Sequence, residues 1–242
     1  MKKFALVCGA SGAIGQAICQ QLAQDGWSLY LHYHTGHTVI DSMLQTFTEN
    51  FPNQEFIPVK ADFSSDTGAE QIAAQIYSLQ AIVYANGHAY YDLLENTPAA
   101  EMTKLWHVHV QNPMRTTALL AGKLRANKVS YVLVIGSIWG DVGAAGEVAY
   151  SAVKGAQHSF VKAYSQEAAF SGIRVNAIAP GIINTKMNAK FDAEEREIIE
   201  SQIPLQSFGE ALDIANMAAF YLSGRADYVT GQIIRVNGGW YI

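Results

Sequence analysis

Half of the 242 residues are hydrophobic, enough for one substantial core, and a chain of this size is expected to fold as a single domain over residues 1–242. The formal net charge is −5 with no cluster of lysine and arginine, which excludes a nucleic-acid footprint and a polybasic membrane patch and leaves small molecules or proteins as partners. No stretch reaches the roughly 18 apolar residues that a membrane-spanning helix requires.

The chain begins MKKFALVCGASGAIG. Two lysines and a short apolar run superficially resemble a secretion signal, but glycines interrupt the run, so residues 4–8 are expected to be a strand and the protein to be cytoplasmic. Residues 9–15 make a glycine-rich turn, and 14–24 an amphipathic helix closed by Asp25-Gly26. A strand over 27–33, a helix over 39–48 and a strand over 55–59 follow. The next strand, 81–84, leads into Ala85-Asn86-Gly87, and a long helical stretch over 99–127 is expected to bend or break near Pro113. Strands over 131–135, 174–178 and 233–236 complete the set. Strands alternating with helices at this spacing predict an α/β Rossmann fold, a doubly wound parallel sheet with helices on both faces. The irregular stretch 182–209, with a short acidic helix over 192–200, is where a substrate lid is expected. Cys8 and Cys19, in a strand and the helix after it, are read as reduced structural thiols. His32, His34 and His37 are read as ordinary strand-end and loop histidines, because alternate strand residues point to opposite faces.

The chemistry concentrates in SIWGDVGAAGEVAYSAVK, residues 137–154. Tyr150 and Lys154 stand four apart, on one helix face. A free tyrosine titrates near pH ~10, so the neighbouring ammonium is expected to favour its phenolate, while Ser137, at the exit of a strand, hydrogen-bonds the oxygen that the tyrosine protonates. Alone, Tyr-x-x-x-Lys more often marks a tyrosine packed on a lysine stem. The rest of the sequence supplies its context.

Ser137, Tyr150 and Lys154, the glycine-rich start, Ala179-Pro180-Gly181 and Asn237-Gly238-Gly239 together resemble the short-chain dehydrogenase/reductase family, and within it the 3-oxoacyl-acyl carrier protein reductase type. The glycine spacing departs from G-x-G-x-x-G and is similar to the family's T-G-x-x-x-G-x-G, with Cys8 in place of the threonine and Ala13 in place of the middle glycine. The resemblance implies a dinucleotide held by Gly9, Ser11, Gly12, Ile14, Gly15, Asp62, Asn86, Gly87, Tyr150, Lys154, Pro180, Gly181, Ile183 and Thr185. The second strand ends His32-Tyr33-His34-Thr35 without an acid to accept a ribose 2′-hydroxyl, which favours NADP over NAD and gives the 2′-phosphate to His34, Thr35 and backbone groups. The family's N-N-A-G reads Tyr84-Ala85-Asn86-Gly87 here, and only the glycine matches.

The resemblance assigns carbonyl orientation to Ser137, general acid catalysis to Tyr150, and ribose binding with lowering of the tyrosine pKa to Lys154. Many members add an asparagine to the site; aligning on Pro113 puts His109 there, a proton shuttle or else a packed helix histidine, with Asn112 out of register. Carrier-dependent relatives dock their acidic partner with basic residues flanking the site, and Arg125 and Lys128 occupy one such region. A narrower resemblance, carried by Ser137-Ile138-Trp139-Gly140, Lys154-Gly155-Ala156-Gln157, His109 and Asn237-Gly238-Gly239-Trp240, is to reductases of a 5-aminopentanone group on elongation factor P. For that cationic substrate Glu194, Glu195, Glu197 and Glu200 are candidate partners, although a solvated helix face also accounts for them. Trp139 either shapes the pocket or packs. The resemblance implies a homotetramer or homodimer. A nucleotide-binding sensor or scaffold without catalysis is the alternative of another class, and the presence of both Tyr150 and Lys154 speaks against it.

Overall fold

The strand segments are short, apolar and rich in branched residues, as suits strands covered on both faces. The computed structural model describes residues 2–188 and 191–241. In chain order it contains β1 (Phe4–Cys8), α1 (Ala13–Gln24), β2 (Ser28–Tyr33), α2 (His37–Asn50), β3 (Phe56–Lys60), α3 (Gly68–Ala73) and β4 (Ala81–Tyr84). Then come α4 (Ala99–Trp106), α5 (Asn112–Arg125), β5 (Ser130–Ile135), α6 (Trp139–Val142), α7 (Val148–Ala168), β6 (Ile173–Pro180), α8 (Ala193–Gln202), α9 (Ala211–Leu222) and β7 (Ile233–Val236). All strands pair in parallel in the order β3-β2-β1-β4-β5-β6-β7, so the winding reverses between β1 and β4 and opens a crevice at their carboxyl ends.

The two-residue strand period divides the core into two layers. Ala5 and Val7 of β1, with Leu133 and Ile135 of β5, face Ile18 and Leu22 of α1, Phe47 of α2 and Ile214 of α9. Leu6 and Cys8, with Val132 and Val134, face Ile72 of α3, Leu120 and Leu124 of α5 and Val161 of α7. Both thiols lie in these layers and burial raises their pKa, so they stay protonated. The predicted elements shift by one or two residues at their ends. Three helices, α3, α6 and α9, are additions that the sequence pattern does not mark.

Pro113 does not break the long helix. Residues His107–Gln111 widen into a π-helical turn between α4 and α5. Proline has no N–H to give the carbonyl four residues earlier. That carbonyl belongs to His109, and the Gln157 side-chain amide of α7 donates to it instead, at 2.8 Å. Asn112, fully buried, accepts from the Ala69 N–H at 2.9 Å and donates to the Phe63 and Ser65 carbonyls at 2.9 and 2.8 Å. It anchors the β3–α3 connection and lies away from the chemistry.

The excursion over 182–209 is closed at its base by a parallel bridge between Ile183 and Gly209. Its helix α8 begins at a capping box in which the Asp192 carboxylate accepts from the Glu195 N–H and the Glu195 carboxylate accepts from the Asp192 N–H. Asn112→Ala removes three buried hydrogen bonds and is expected to cost about 3 kcal/mol of stability, read as a lower urea midpoint; an unchanged midpoint would show that the connection holds without them.

Candidate active site

Gly9 leaves β1 with φ +78°, and a Cβ there would lie 2.7 Å from the Asn86 backbone. Positive φ and this close approach of the β1 and β4 ends both require glycine. A Cβ at Gly15 would run into the Gly9 carbonyl oxygen, so Gly15 seats α1 on the turn from behind. Gly12 caps α1 without a side chain and no acid occupies the first turn, which leaves amide donors for an anion.

A cleft of about 580 Å³ runs over this turn, lined by Gly9, Ser11, Gly12, His34, Asp62, Asn86 and Gly87. Asp62 accepts from the N–H and hydroxyl of Ser64 at 2.8 and 2.7 Å, and its other oxygen is 3.7 Å from His34 Nε2. Beyond Asn86 and Gly87 the cleft continues into a cavity of about 120 Å³ bounded by Ile14, His109, Ser137, Tyr150, Lys154, Pro180, Gly181, Ile183 and Thr185. The fold therefore brings together every residue read as catalytic or cofactor-binding except Gly15. Asn86 donates to the Val108 carbonyl at 2.7 Å, while its Oδ1 is buried without a protein partner. This elongated cleft, with a bare helix start and an orphaned acceptor along it, fits a dinucleotide.

Tyr150 and Lys154 lie one turn apart on α7, both buried. The Lys154 ammonium donates to the Ile135 carbonyl at 3.1 Å and stands 5.4 Å from the centre of the Tyr150 ring. Burial pulls the lysine pKa down to about 7. Burial also pushes the phenol up, with added repulsion from Glu147 and Tyr91, against an opposing hydrogen bond from Ser137. The expectation is that Lys154 favours the phenolate; in the structure burial is the largest influence on Tyr150 and favours the neutral phenol, which can donate a proton. Ser137 follows β5 by two residues, and its hydroxyl accepts from the Trp139 N–H at 3.2 Å. The His109 ring meets the Tyr150 ring edge-on at 5.6 Å. Its Nε2 lies 2.9 Å from the His88 carbonyl and 3.3 Å from the His88 N–H, and its Nδ1 is buried without a protein partner. Burial holds its pKa well below the usual value.

Past Ser137 and Tyr150 opens a pocket of about 200 Å³ walled by Tyr91, Trp139, Phe191, Ile199 and Trp240, with the half-buried Glu147 among them. Trp139 packs edge-on against Trp240 at 5.3 Å, so it shapes the pocket. The sequence reading misses Glu147, Tyr91 and Trp240. Glu147 is the only one with a local signal, three residues before Tyr150. The lid acids do not line this pocket; Glu195 serves the α8 cap and Glu200 pairs with Arg196. Arg125 and Lys128 do not flank it either: they precede β5 and so lie a strand length, roughly 20 Å, from the site at its far end.

The family profile described as enoyl-(acyl carrier protein) reductase matches residues 9–241. The chain is 41% identical over 244 residues to the uncharacterized oxidoreductase YmfI of Bacillus subtilis (strain 168), covering 100% of both. It is 30% identical to the 3-oxoacyl-[acyl-carrier-protein] reductase FabG of Staphylococcus aureus (strain Mu50), covering 100% of this chain and 99% of the relative. The chain belongs to the short-chain dehydrogenase/reductase family. It is an NAD(P)-dependent oxidoreductase. Among solved structures, YwfH, an NADPH-dependent reductase involved in bacilysin biosynthesis, superposes with a TM-score of 0.90 at 25% identity, covering 99% of this chain and 98% of that one.

One support of the glycine turn is a buried histidine. His32, buried at the end of β2, accepts from the Gly9 N–H at Nδ1 (3.1 Å), and its Nε2 faces the Ala61 carbonyl at 3.3 Å. Only a neutral imidazole accepts and donates in this way, and burial lowers its pKa to about 4. Among the described residues no group of three histidines, cysteines or acids is arranged to hold a metal. Between pH 6.5 and about 4 the unfolded chain binds the His32 proton and the native chain does not, so acidification through this window destabilises the fold. The contribution reaches roughly 3 kcal/mol at the acid end. Urea midpoints measured across the window should therefore fall less steeply for His32→Leu than for the wild type; parallel curves would refute the assignment.

Proposed function

We propose that the protein reduces a ketone to a secondary alcohol with NADPH. The observation that carries this reading is that Ser137 and Tyr150 form the wall shared by the cofactor cleft and the aromatic pocket. A carbonyl lodged in the pocket thus meets the serine hydroxyl, the phenol and the cleft together. NADPH is supported by the absence of an acid at the end of β2, by His34 in the cleft wall, and by the NADPH dependence stated for YwfH.

Held along the cleft, the dinucleotide would supply the hydride that the carbonyl carbon takes up. Ser137 orients the carbonyl oxygen by a hydrogen bond, and Tyr150 gives its phenolic proton to that oxygen as negative charge develops on it. Lys154, with its pKa near 7, exchanges protons at neutral pH and stands one turn away, placed to reload the tyrosine. His109, whose buried Nδ1 has no protein partner, lines the same cavity and is suited to hold a water that carries protons onward. Gly9, Ser11, Gly12 and Ile14 would hold the pyrophosphate, Asp62 the adenine side, and Thr185 and Ile183 the nicotinamide side, with the 182–209 excursion as lid.

For the substrate, the FabG similarity supports a 3-oxoacyl thioester. A second reading, a ketone bearing an amine such as the 5-aminopentanone group on elongation factor P, is favoured by a specific feature: the one carboxylate in the pocket wall, Glu147, lies among aromatic rings beside Tyr150. Rings and a carboxylate together suit a cation.

Tyr150→Phe is expected to lower NADPH oxidation about 10²- to 10⁴-fold while NADPH binding, followed by fluorescence, persists. A variant that keeps the wild-type rate would sink the mechanism. Glu147→Gln should raise KM for an amino ketone about tenfold and leave KM for an acetoacetyl thioester unchanged, the loss expected for one charge-assisted hydrogen bond. Equal effects on both substrates would remove the support for a cationic ligand.

A further inference from the structure

Tyr150, Lys154 and His158 recur every fourth residue on one face of α7, and all three are buried. The proposed mechanism uses the first two. His158 Nδ1 lies 3.0 Å from Asp141 Oδ1, and the other oxygen of that carboxylate accepts from Arg235 Nε at 3.0 Å. A carboxylate at neutral pH only accepts, so the imidazole hydrogen sits on Nδ1. The rest of the ring fills a slot left by two glycines: a Cβ on Gly136 would be 2.6 Å from Nε2, and one on Gly140 would be 2.7 Å from Cε1. The segment between those glycines contains Ser137 and Trp139. On its far side Arg235 belongs to β7, whose continuation brings Trp240 onto Trp139 at 5.3 Å.

We propose that His158, held by Asp141, is a positioning residue for reduction: it fixes the 136–140 segment from below and thereby sets the Ser137 hydroxyl and the Trp139 wall. Asp141 transmits the same restraint to β7 and, through Arg235, to the end of the chain that supplies Trp240. Neither His158 nor Asp141 lines the cofactor cavities, so the restraint acts on the reacting carbonyl and leaves the nucleotide alone. This rests on the reductase reading given above.

The test compares the full-length wild type with Asp141→Ala, a surface-side change that removes both bonds without touching the buried ring slot, and with His158→Leu and His158→Asn. NADPH oxidation is followed with an acetoacetyl thioester and with an amino ketone, and NADPH affinity is measured separately. The expected result is a kcat about tenfold lower for Asp141→Ala and His158→Leu, with NADPH affinity unchanged, and recovery in His158→Asn, whose amide restores a donor to Asp141. Thermal destabilisation with unchanged kcat, or loss of NADPH affinity in step with kcat, would overturn the proposal. If the wild type turns over neither ketone, the reductase reading fails on its own, and the coupled-tryptophan signal of Trp139 and Trp240 in circular dichroism decides the present question. Its loss in Asp141→Ala supports the clamp, and its persistence refutes it.

Discussion

A lysine taken out of water at the carboxyl end of β5 is the constraint on which the site depends. Lys154 is 3% exposed, and its ammonium is satisfied by the Ile135 carbonyl. That bond seats α7 against the last residue of the strand. Helical spacing then carries Tyr150 to the mouth of the cleft, and Ser137 arrives opposite it two residues after the strand ends. The desolvation that lowers the lysine pKa, to about 7, raises that of the tyrosine, which favours the neutral phenol. An exposed pair with the same sequence spacing would have two charged or solvated groups and neither property.

The histidines show the same physics used for structure. His32, His109 and His158 are buried, and desolvation lowers the pKa of each. As neutral rings they combine a donor with an acceptor, which allows one side chain to join two segments. His32 ties the glycine turn to β3, and His109 links the π-helical turn to the segment after β4. The turn itself follows from Pro113, whose missing N–H frees the His109 carbonyl for Gln157 and so fastens the α4–α5 rod to α7.

The aromatic pocket is assembled largely from connecting segments: the connection after β4, the approach to α7, the excursion after β6 and the end of the chain. Each contributes an aromatic or aliphatic surface, and Glu147 adds one carboxylate. Rigid strand ends position the reacting groups while these segments shape the recess, a division common where function is placed on loops over a fixed sheet.

Local periodicity made much of this readable in advance. The strand-helix alternation, the glycine turn and the four-residue spacing of Tyr150 and Lys154 are properties of neighbouring residues, and the parallel sheet follows from their order. The capping box at Asp192 and Glu195 is likewise local. What the sequence by itself determined is therefore the fold and the placing of Tyr150 and Lys154 on one helix face. The tertiary structure decided that Gly15 supports the turn from behind, that Arg125 and Lys128 stand at the wrong end of β5, that the lid acids do not line the pocket, and that burial raises the Tyr150 pKa. It also decided that Glu147, Tyr91 and Trp240 meet. These depend on which distant segments converge over the strand ends and how much water they exclude, and helix and strand periods carry no information about either.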